Sequence, residues 1–479
     1  MAVKLRKPQN QNKREWLVSA CIGIRPNSFY EVSKRLSSKI NDFLSTEQIS
    51  AIARDTQFVQ RSSQLSGERF LDLLLFTRFE IKKTSLNDLA CQLESLFKIQ
   101  LSKQALDQRF NGFAVLFLKS LLEKFIADQL KELPAIIPVR NFPSIRIKDS
   151  TCFQLPEHLV EIYPGSGGSG SKAAIRIQFE YDLVSGKIID LSLHPFNEQD
   201  TVNAQKELDT IKQGELVIRD LGYINLSCLS EIDLKNAFYL NRLKSKIVVY
   251  ESSNGKLSPI DFDKIRKHMD KKKITRMEKE VFLGKDKKVF TRLIIERMPE
   301  DKVKERIRKA RKEAKKKGRT ISDQYISRAY LNLFITNTDP QVLGSQYCNE
   351  IYSIRWQIEL IFKIWKSVVQ IHQVKMMKRE RLECFLYAKL LWITMNWEIL
   401  MRIYHHLWTS RKVAISFIKA YQTFLIRMEK QRKAFYSDQE TLQEYILEMV
   451  DTCLKYHVIE KRKDKRFSVD IIGLIINLL

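Results

Sequence analysis

One stretch of the chain, residues 351–366 (IYSIRWQIELIFKIWK), limits the possible folds more than any other. On a helix with about 100° per residue, its charged side chains and one tyrosine fall within a wedge of about 80°. These side chains are Tyr352, Arg355, Glu359, Lys363 and Lys366, and nearly all of the others are bulky and apolar. An ordinary surface helix has the opposite pattern, a wide polar face and one apolar stripe. The stretch therefore predicts a largely buried helix with one narrow charged stripe.

The charged stripe has two interpretations. It is typical of a functional site, because a buried carboxylate costs free energy unless it is paired or bound to a cation or a polyanion. The alternative is a ladder of i,i+4 salt bridges through Arg355, Glu359 and Lys363, which stabilises a helix by only a few tenths of a kcal/mol per pair. The stripe alone favours neither interpretation. Features elsewhere in the chain favour the site.

The net charge indicates a polyanionic partner. The 479 residues include 82 Lys and Arg against 56 Asp and Glu, which gives a net charge of +26. An excess of this size points to nucleic acid, and a basic protein that merely stays soluble accounts for it less well. Hydrophobic residues make up 44% of the chain, so it is a folded protein rather than a disordered one.

Cysteine usage and hydropathy indicate the compartment. The seven cysteines are scattered and none forms a CxxC pair. This pattern is neither a disulfide framework nor a zinc site, and it is typical of a reducing cytosol. No apolar run approaches the ~18 residues that a membrane span needs. We therefore expect a cytoplasmic protein with no membrane partner.

Residues 1 to about 140 show a helical pattern and contain a candidate helix-turn-helix. Ser85 and Ser102 are placed as N-caps of two helices, with a short break at 97–101 between them. If the second helix reads DNA, its candidate groove contacts are Lys103, Gln104, Gln108 and Arg109. The alternative is a plain pair of packed helices, which the absence of a turn glycine favours.

From residue 144 the pattern changes to strands, and two of these strands carry an aspartate. In SIRIKDST, Ile145, Ile147 and Asp149 alternate, which predicts a strand with a carboxylate at its polar end. Two further strands, 174–184 and 187–193, are predicted to form a hairpin. After a predicted helix over 199–211, GELVIRDLGY contains a buried strand at 216–218 that ends next to Asp220.

The composition shifts again between about 236 and 330. Strands are predicted at 246–250, 280–283 and 289–297, separated by basic turns. Residues 301–319 carry eleven Lys and Arg against three Asp and Glu, too polar to be buried. The segment is either a solvated helix or an arm that follows DNA phosphates. An apolar strand at 331–336 then leads into the stretch 351–366.

Two aspartates at strand ends and one helical glutamate are the set that a two-metal phosphoryl-transfer site needs. A ribonuclease H-type α/β fold supplies it, with a mixed sheet built from a strand, hairpin strands, a helix, a strand and a helix. The interval between Asp220 and Glu359 exceeds what this topology requires, which predicts a β-rich basic insertion. The predicted division is a helical DNA-binding region (1–140), core (141–235), insertion (236–330), core (331–400) and a helical C-terminal region (401–479).

These motifs resemble those of DDE transposases of bacterial insertion sequences, in the insertion-sequence-four family with its Y-x2-R-x3-E-x6-K signature. Tyr352, Arg355, Glu359 and Lys366 match the signature at all four positions. The segments IKDST and VIRDLGY resemble the surroundings of the family's other two carboxylates, and FYLNRLK, 238–244, resembles the basic strand that follows. The resemblance covers roughly residues 59–400.

The resemblance implies cut-and-paste transposition. A water nicks the transposon end, the freed 3′-hydroxyl forms a DNA hairpin, the hairpin is opened, and the 3′-hydroxyl attacks target DNA. Asp149, Asp220 and Glu359 are the implied catalytic ligands of two Mg²⁺ ions, for which Mn²⁺ can substitute. The implied partners are double-stranded DNA and, in the complex with both ends, a second copy of the chain. The predicted DNA contacts near the metals are Tyr352, Arg355, Lys363, Lys366 and Arg242.

One departure from the family pattern affects the hairpin step. Members of the family can place a tryptophan in the strand before the signature helix, where it stacks on a flipped base. The corresponding segment here, 331–334, has none, which leaves Phe334 or Trp356 as substitutes.

Two alternatives to a transposase are a transposase-derived DNA-binding protein without catalysis and a ribonuclease H-type nuclease without strand transfer. Three carboxylates in place argue against the first, and the basic insertion argues against the second.

Overall fold

The computed structural model describes residues 27–61, 63–76, 80–131, 142–166, 171–285 and 289–459. The chain forms two compact units. Unit 1 combines residues 1–132 with 362–465, and unit 2 combines residues 133–361 with 466–479. The parts of the predicted N-terminal and C-terminal regions at 1–26, 132–141 and 460–479 lie outside the described residues.

Unit 1 is helical in its described parts. Its helices are α1 (Asn27–Phe43), α2 (Thr46–Asp55), α3 (Gly67–Leu75), α4 (Leu86–Phe97), α5 (Lys103–Arg109), α6 (Gly112–Lys131), α14 (Arg379–Arg411), α15 (Phe417–Ile426), α16 (Met428–Phe435) and α17 (Gln439–Tyr456). The 33-residue helix α14 packs against α6 and α3, and α17 packs against α1. Helices from both ends of the chain therefore share one core. The helical prediction for the two terminal regions is confirmed within the described residues.

The predicted helix-turn-helix segment forms two helices with the predicted caps. Ser85 and Asp88 form a capping box at the start of α4, and Ser102 caps α5. Lys98 ends α4 in the left-handed conformation with φ of 58°, the position where a glycine is more usual. The turn therefore forms without glycine.

Unit 2 contains one sheet of ten strands. The strands are β1 (Ile145–Leu155), β2 (Ala173–Asp182), β3 (Ile188–Pro195), β4 (Leu216–Arg219), β5 (Phe238–Arg242), β6 (Val249–Ser253), β7 (Lys256–Pro259), β8 (Arg276–Leu283), β9 (Val289–Arg297) and β10 (Leu331–Thr336). The helices are α7 (Asp200–Lys206), α8 (Leu226–Leu234), α9 (Phe262–Lys272), α10 (Glu300–Lys316), α11 (Asp323–Ala329) and α12 (Ser345–Ser353), followed by α13 (Trp356–Ser367), which crosses into unit 1. The strand order is β3-β2-β1-β4-β5-β10-β9-β8-β6-β7.

Five neighbouring strands form a ribonuclease H-type core, and four of them lie in the predicted core segment 141–235. β1, β2 and β3 are antiparallel neighbours, and β4 and β5 continue the sheet parallel to β1. Helix α7 connects β3 to β4, and α8 connects β4 to β5. From β1 to α8 this is the predicted order of elements, so the fold class is confirmed, whereas β5 comes from the segment that was predicted as the insertion.

The pairing of β1 with β4 aligns the two predicted aspartates. The strands are parallel, and Ile147 pairs with Ile218. Asp149 and Asp220 each lie two residues further along, and side chains alternate between the faces of a sheet. The two aspartates therefore belong to the face that carries Ile147 and Ile218. We call this face the carboxylate face and the other the opposite face.

The segment predicted as an insertion extends the same sheet. β10 pairs with β5 on one side and with β9 on the other, and β8, β6 and β7 follow. On the opposite face, apolar side chains of β8, β9 and β10 form one core cluster with α8 and α9. Strands β6 to β9 thus share both hydrogen bonds and a core with the strands around them.

The stretch 351–366 is not one helix, contrary to the prediction. Helix α12 ends at Ser353, and α13 begins at Trp356. At the junction the bonds are of the tighter i→i−3 type, since the Arg355 amide donates to the Tyr352 carbonyl at 3.1 Å. The stretch contains no Gly or Pro to mark a helix end, and its hydrophobic periodicity gave no signal of the break either.

No helix in the described segments is long and apolar enough to cross a membrane.

Candidate active site

Asp149 and Asp220 lie where the pairing of β1 with β4 ends. Strand β4 ends at Arg219, and Asp220 is the next residue. Asp149 lies in the middle of β1, not at its polar end as predicted, because the β1–β2 hairpin continues to Leu155. Its carboxylate accepts a hydrogen bond from the Ser150 amide at 2.8 Å. The two carboxylates are thus adjacent on the carboxylate face.

The guanidinium of Arg355 contacts all three predicted catalytic carboxylates. Its Nη1 lies 2.8 Å from Asp149 Oδ2, its Nη2 lies 2.9 Å from Glu359 Oε1, and its Nε lies 3.7 Å from Asp220 Oδ1. The Arg355 side chain is only 8% exposed. The i,i+4 pair with Glu359 exists, but a helix ladder does not account for the contacts to two aspartates from other elements. Arg355 brings Asp149, Asp220 and Glu359 together.

Burial sets the electrostatics of this cluster. It raises the pKa of the Asp149 carboxyl to about 6, and the charges of Asp220 and Glu359 act in the same direction. The Ser150 amide and Arg355 oppose this shift. Burial would lower the pKa of Arg355, but the nearby acidic groups, Asp220 first, raise it. Arg355 therefore stays charged and offsets part of the carboxylate charge.

Tyr352 and Phe334 form a packed aromatic pair beside the carboxylates. Their ring centroids are 5.6 Å apart, and both side chains are buried. Burial raises the pKa of the Tyr352 hydroxyl to about 12, so at neutral pH it is a neutral group that can donate a hydrogen bond. Arg242 pairs with Phe334 across β5 and β10 and lies on the carboxylate face. Phe334, at 1% exposure, has no open ring face for a nucleic-acid base.

Trp356 is the accessible aromatic side chain. It is 59% exposed, and the Arg355 guanidinium lies 5.7 Å from its ring centroid. Leu360, one turn further along α13, is also exposed. The predicted burial of these two apolar residues is therefore wrong. Of the two suggested substitutes for the missing tryptophan, only Trp356 presents its ring to solvent.

The donor set fits a hard divalent cation. Three carboxylates converge on one guanidinium, and carboxylate oxygens are the protein ligands that Mg²⁺ prefers. Within the described segments, no three His, Cys, Asp or Glu side chains are grouped closely enough to hold one ion together. Mg²⁺ commonly takes one or two protein carboxylates and completes its shell with water and substrate phosphate. The arrangement thus suits metal ions that the protein and its substrate share.

The opposite face of the sheet carries a buried ionic layer that sequence analysis missed. Arg146 Nε lies 2.7 Å from Glu180 Oε1, and Lys148 Nζ lies 3.0 Å from Asp190 Oδ2. Arg146, Lys148 and Glu180 are buried. The alternation in SIRIKDST suggested only polar side chains on that face. Their partners come from β2, β3 and the segment around Glu207, which the local sequence does not reveal.

The other predicted DNA contacts have different surroundings. Lys103, Gln104 and Gln108 are exposed on α5, as expected for groove contacts. Arg109 is not exposed, which corrects the prediction for that residue. Its Nη2 donates to the Leu65 carbonyl at 3.1 Å, and its guanidinium stacks on the Phe58 ring at 4.7 Å. Lys363 is exposed on α13, and Lys366 is half-buried.

The sequence matches the family described as Transposase DDE domain over residues 140–395. The chain belongs to the DDE transposase family. Membership implies an enzyme that cleaves and transfers DNA and depends on a divalent metal.

Named relatives agree with this assignment. The chain is 31% identical to the transposase of insertion sequence element IS231E of Bacillus thuringiensis subsp. finitimus, over 92% of this chain and 95% of the relative. It is 32% identical to the IS231B transposase of Bacillus thuringiensis subsp. berliner, over 88% of this chain and 92% of the relative.

The synaptic complex of piggyBac transposase with hairpin DNA is a distant structural neighbour, with a TM-score of 0.45 and 10% identity over 92% of this chain and 85% of that one.

The raised pKa of Asp149 generates a stability prediction. Its folded pKa, about 6, exceeds the ~3.9 of an unfolded aspartate. Ionisation therefore destabilises the fold as pH rises from 4 towards 7, and protonation below pH 4 removes the effect. We expect Asp149→Asn to stabilise the EDTA-treated protein at pH 7. The expected gain in the free energy of unfolding is on the order of 2 kcal/mol, reduced by the contribution of the lost contact with Arg355. Thermal melting at pH 7 and pH 4.5 measures this, and a gain that is larger at pH 4.5 would contradict it.

Proposed function

We propose that this protein binds the two ends of its own insertion sequence and moves it by cut-and-paste transposition. The observation that supports this most directly is the convergence of Asp149, Asp220 and Glu359 on Arg355. These carboxylates are the residues that the sequence resemblance implies as catalytic. A binding-only protein gains nothing from three negative charges beside a phosphate.

The proposed metals are two Mg²⁺ ions, held by Asp149, Asp220 and Glu359, with Mn²⁺ as a functional substitute. Two such ions supply activation of the attacking oxygen and stabilisation of the leaving one. The carboxylates fix where the scissile phosphate must lie. Asp149 lies on a central strand of the sheet, so that part of the site is rigid.

Three cationic or hydroxyl groups are proposed to hold the end phosphates. Arg355 is charged, and its planar fork suits phosphate oxygens. The neutral Tyr352 hydroxyl can donate one hydrogen bond, and Arg242 lies on the same face. Trp356 is proposed to stack on the flipped end base, since its ring is exposed beside Arg355. These assignments would allow the hairpin step despite the missing strand tryptophan.

The proposed partners are terminal and target double-stranded DNA and a second copy of the chain. The net charge of +26 supports a DNA partner. In the N-terminal region (1–140), Lys103, Gln104 and Gln108 are the proposed groove contacts, and Arg109 is left out because it packs within unit 1. The C-terminal region (401–479) is proposed to support dimerisation.

Helix α10 is the proposed phosphate-following arm, and its two halves differ. Its first half is anchored, because Val303 is buried and the Arg306 guanidinium donates to Asn332 Oδ1 at 2.9 Å and the Leu331 carbonyl at 3.1 Å. Asn332 lies on the carboxylate face with Phe334. The second half is exposed apart from Ala310 and Ala314, and its cations Arg311, Lys312, Lys315 and Lys316 are followed by Lys317 and Arg319 just beyond the helix. The anchor fixes the arm near the carboxylate face, and the exposed half is available to DNA.

The central test is catalytic. We expect Asp149→Ala, Asp220→Ala and Glu359→Ala each to abolish Mg²⁺-dependent cleavage of the terminal DNA and to leave end binding largely intact, because metal ligands do not themselves hold the DNA. Cleavage gels and gel shifts with the purified full chain measure both. Wild-type cleavage by any one variant removes that residue from the trio. Cleavage without joining to target DNA would instead support a nuclease, and binding without cleavage an inactive derivative.

The arm predicts a change in salt dependence. Replacing Arg311, Lys312, Lys315 and Lys316 with Gln should lower the slope of log K against log salt by about 0.9 for each phosphate that the arm no longer neutralises. The matched control replaces Lys264, Lys267, Lys271 and Lys272, which are exposed on α9, a helix that packs on the opposite face. Binding titrations at several salt concentrations measure both slopes. Equal slopes for the two variants would mean that the arm is only solvated surface.

The signature lysine has an internal control on its own helix. Lys366→Met should impair end cleavage by about 100-fold if it positions the scissile phosphate. Lys363→Met removes the same charge one turn earlier on α13 and should have a mild effect, because Lys363 lies outside the signature. Both variants should melt near the wild type, since a surface pair contributes at most about 0.5 kcal/mol. Equal and mild effects in a Mg²⁺ cleavage assay would contradict the assignment of Lys366.

A further inference from the structure

We propose that a fourth aspartate, Asp200, is a positioning residue that aligns the segments carrying Asp149 and Asp220 for metal binding. This inference rests on the proposed role of those two aspartates as metal ligands. Asp200 is the first residue of α7, and no sequence motif singled it out. Its contacts reach the chain directly after each catalytic aspartate.

The first set of contacts fixes the residue that follows Asp149. Asp200 Oδ1 accepts hydrogen bonds from Ser150 Oγ at 3.0 Å and from Arg176 Nη1 at 2.6 Å. Arg176 Nη1 also donates to Ser150 Oγ at 2.9 Å, which closes a triangle of polar contacts. The Ser150 backbone amide in turn donates to Asp149 Oδ1. Asp200 and Arg176 therefore hold the residue whose amide orients the catalytic carboxylate.

The second contact involves the turn that follows Asp220. Gly222 lies in the short turn Leu221–Tyr223, against which α7 packs. A Cβ at position 222 would lie 2.9 Å from Asp200 Oδ2, closer than a side-chain atom tolerates without displacement. Glycine at this position thus allows the Asp200 carboxylate to sit against the backbone of the turn. One carboxylate touches both aspartate-bearing segments.

Asp200 acts from the opposite face of the sheet. Ser150 alternates with Asp149 along β1, so its side chain points away from the carboxylate face. Gln178, which pairs with Ser150 across β1 and β2, also donates to Asp200 Oδ1, at 3.3 Å. Asp200 therefore does not belong to the three carboxylates that Arg355 contacts. Its role is to position ligands and not to be one, as outer-shell partners of metal ligands do.

A purely structural role for Asp200 makes a different prediction. If Asp200 only stabilises the fold, its loss lowers the melting temperature and leaves metal affinity per folded molecule unchanged. If it positions the ligands, metal affinity falls at temperatures where the protein is fully folded. Loss of an outer-shell partner typically weakens metal binding by about 10- to 100-fold.

The experiment measures Mn²⁺ binding to the full chain without DNA, by calorimetry or by the electron paramagnetic resonance signal of free Mn²⁺. Asp200→Ala and Asp200→Asn should each weaken Mn²⁺ binding about 10-fold. The matched control is Asp209→Ala, because the Asp209 side chain is fully exposed on the segment that follows α7 and should leave affinity unchanged. Melting temperatures and terminal-DNA binding of all variants are measured alongside.

Gly222→Ala provides an independent test that does not remove the carboxylate. The added methyl should displace Asp200 and weaken Mn²⁺ binding, whereas in the double variant with Asp200→Ala it should add no further loss. Additive losses would mean that the methyl acts by another route and would overturn the inference. Wild-type affinity in both Asp200 variants would also overturn it.

Asp149→Ala distinguishes this inference from the proposed function. If Asp149→Ala also binds Mn²⁺ as the wild type does, the proposed metal site itself is wrong. If Asp149→Ala loses binding while the Asp200 variants retain it, only the role of Asp200 is wrong.

Discussion

The parallel pairing of β1 with β4 determines where the chemistry of this protein lies. One register places Asp149 and Asp220 side by side on the carboxylate face. A shift by one residue would turn one aspartate to the other face and separate the pair. The same alternation along β1 places Arg146 and Lys148 on the opposite face, where they form buried ion pairs with Glu180 of β2 and Asp190 of β3.

Arg355 adds the third carboxylate to this pair. Its position at the junction of α12 and α13 lets a single side chain reach Glu359 on the following helix and both aspartates from the sheet. Three carboxylates at close range repel one another, and a buried guanidinium offsets part of that repulsion. The break in the helix therefore has a clear consequence, since it directs Arg355 towards the sheet.

The sequence predicted the strands that carry the aspartates, the order of the core elements and the residues that Arg355 gathers. Period-2 alternation predicts the strands and their order, and the signature spacing identifies the residues around Arg355. Both are local signals. The helix break at Arg355, the buried state of Lys148 and the contacts of Asp200 were not predictable. Each depends on residues far apart in the chain, and a pattern in one segment does not show what covers its polar side. For the same reason Arg109 looked exposed, although it packs on Phe58.

The single continuous sheet also limits how a chain of this kind can evolve. β10 lies between β5 and β9, so removing the segment 243–330 would leave β10 with an unpaired edge and strip apolar partners from its core face. An unpaired apolar edge invites aggregation. We expect changes in length to cost least where the chain is solvated, such as the Asn254–Gly255 turn between β6 and β7 or the outer half of α10. The β-rich segment is therefore an integral part of this sheet, and its solvated tips are the places where a change in length costs least.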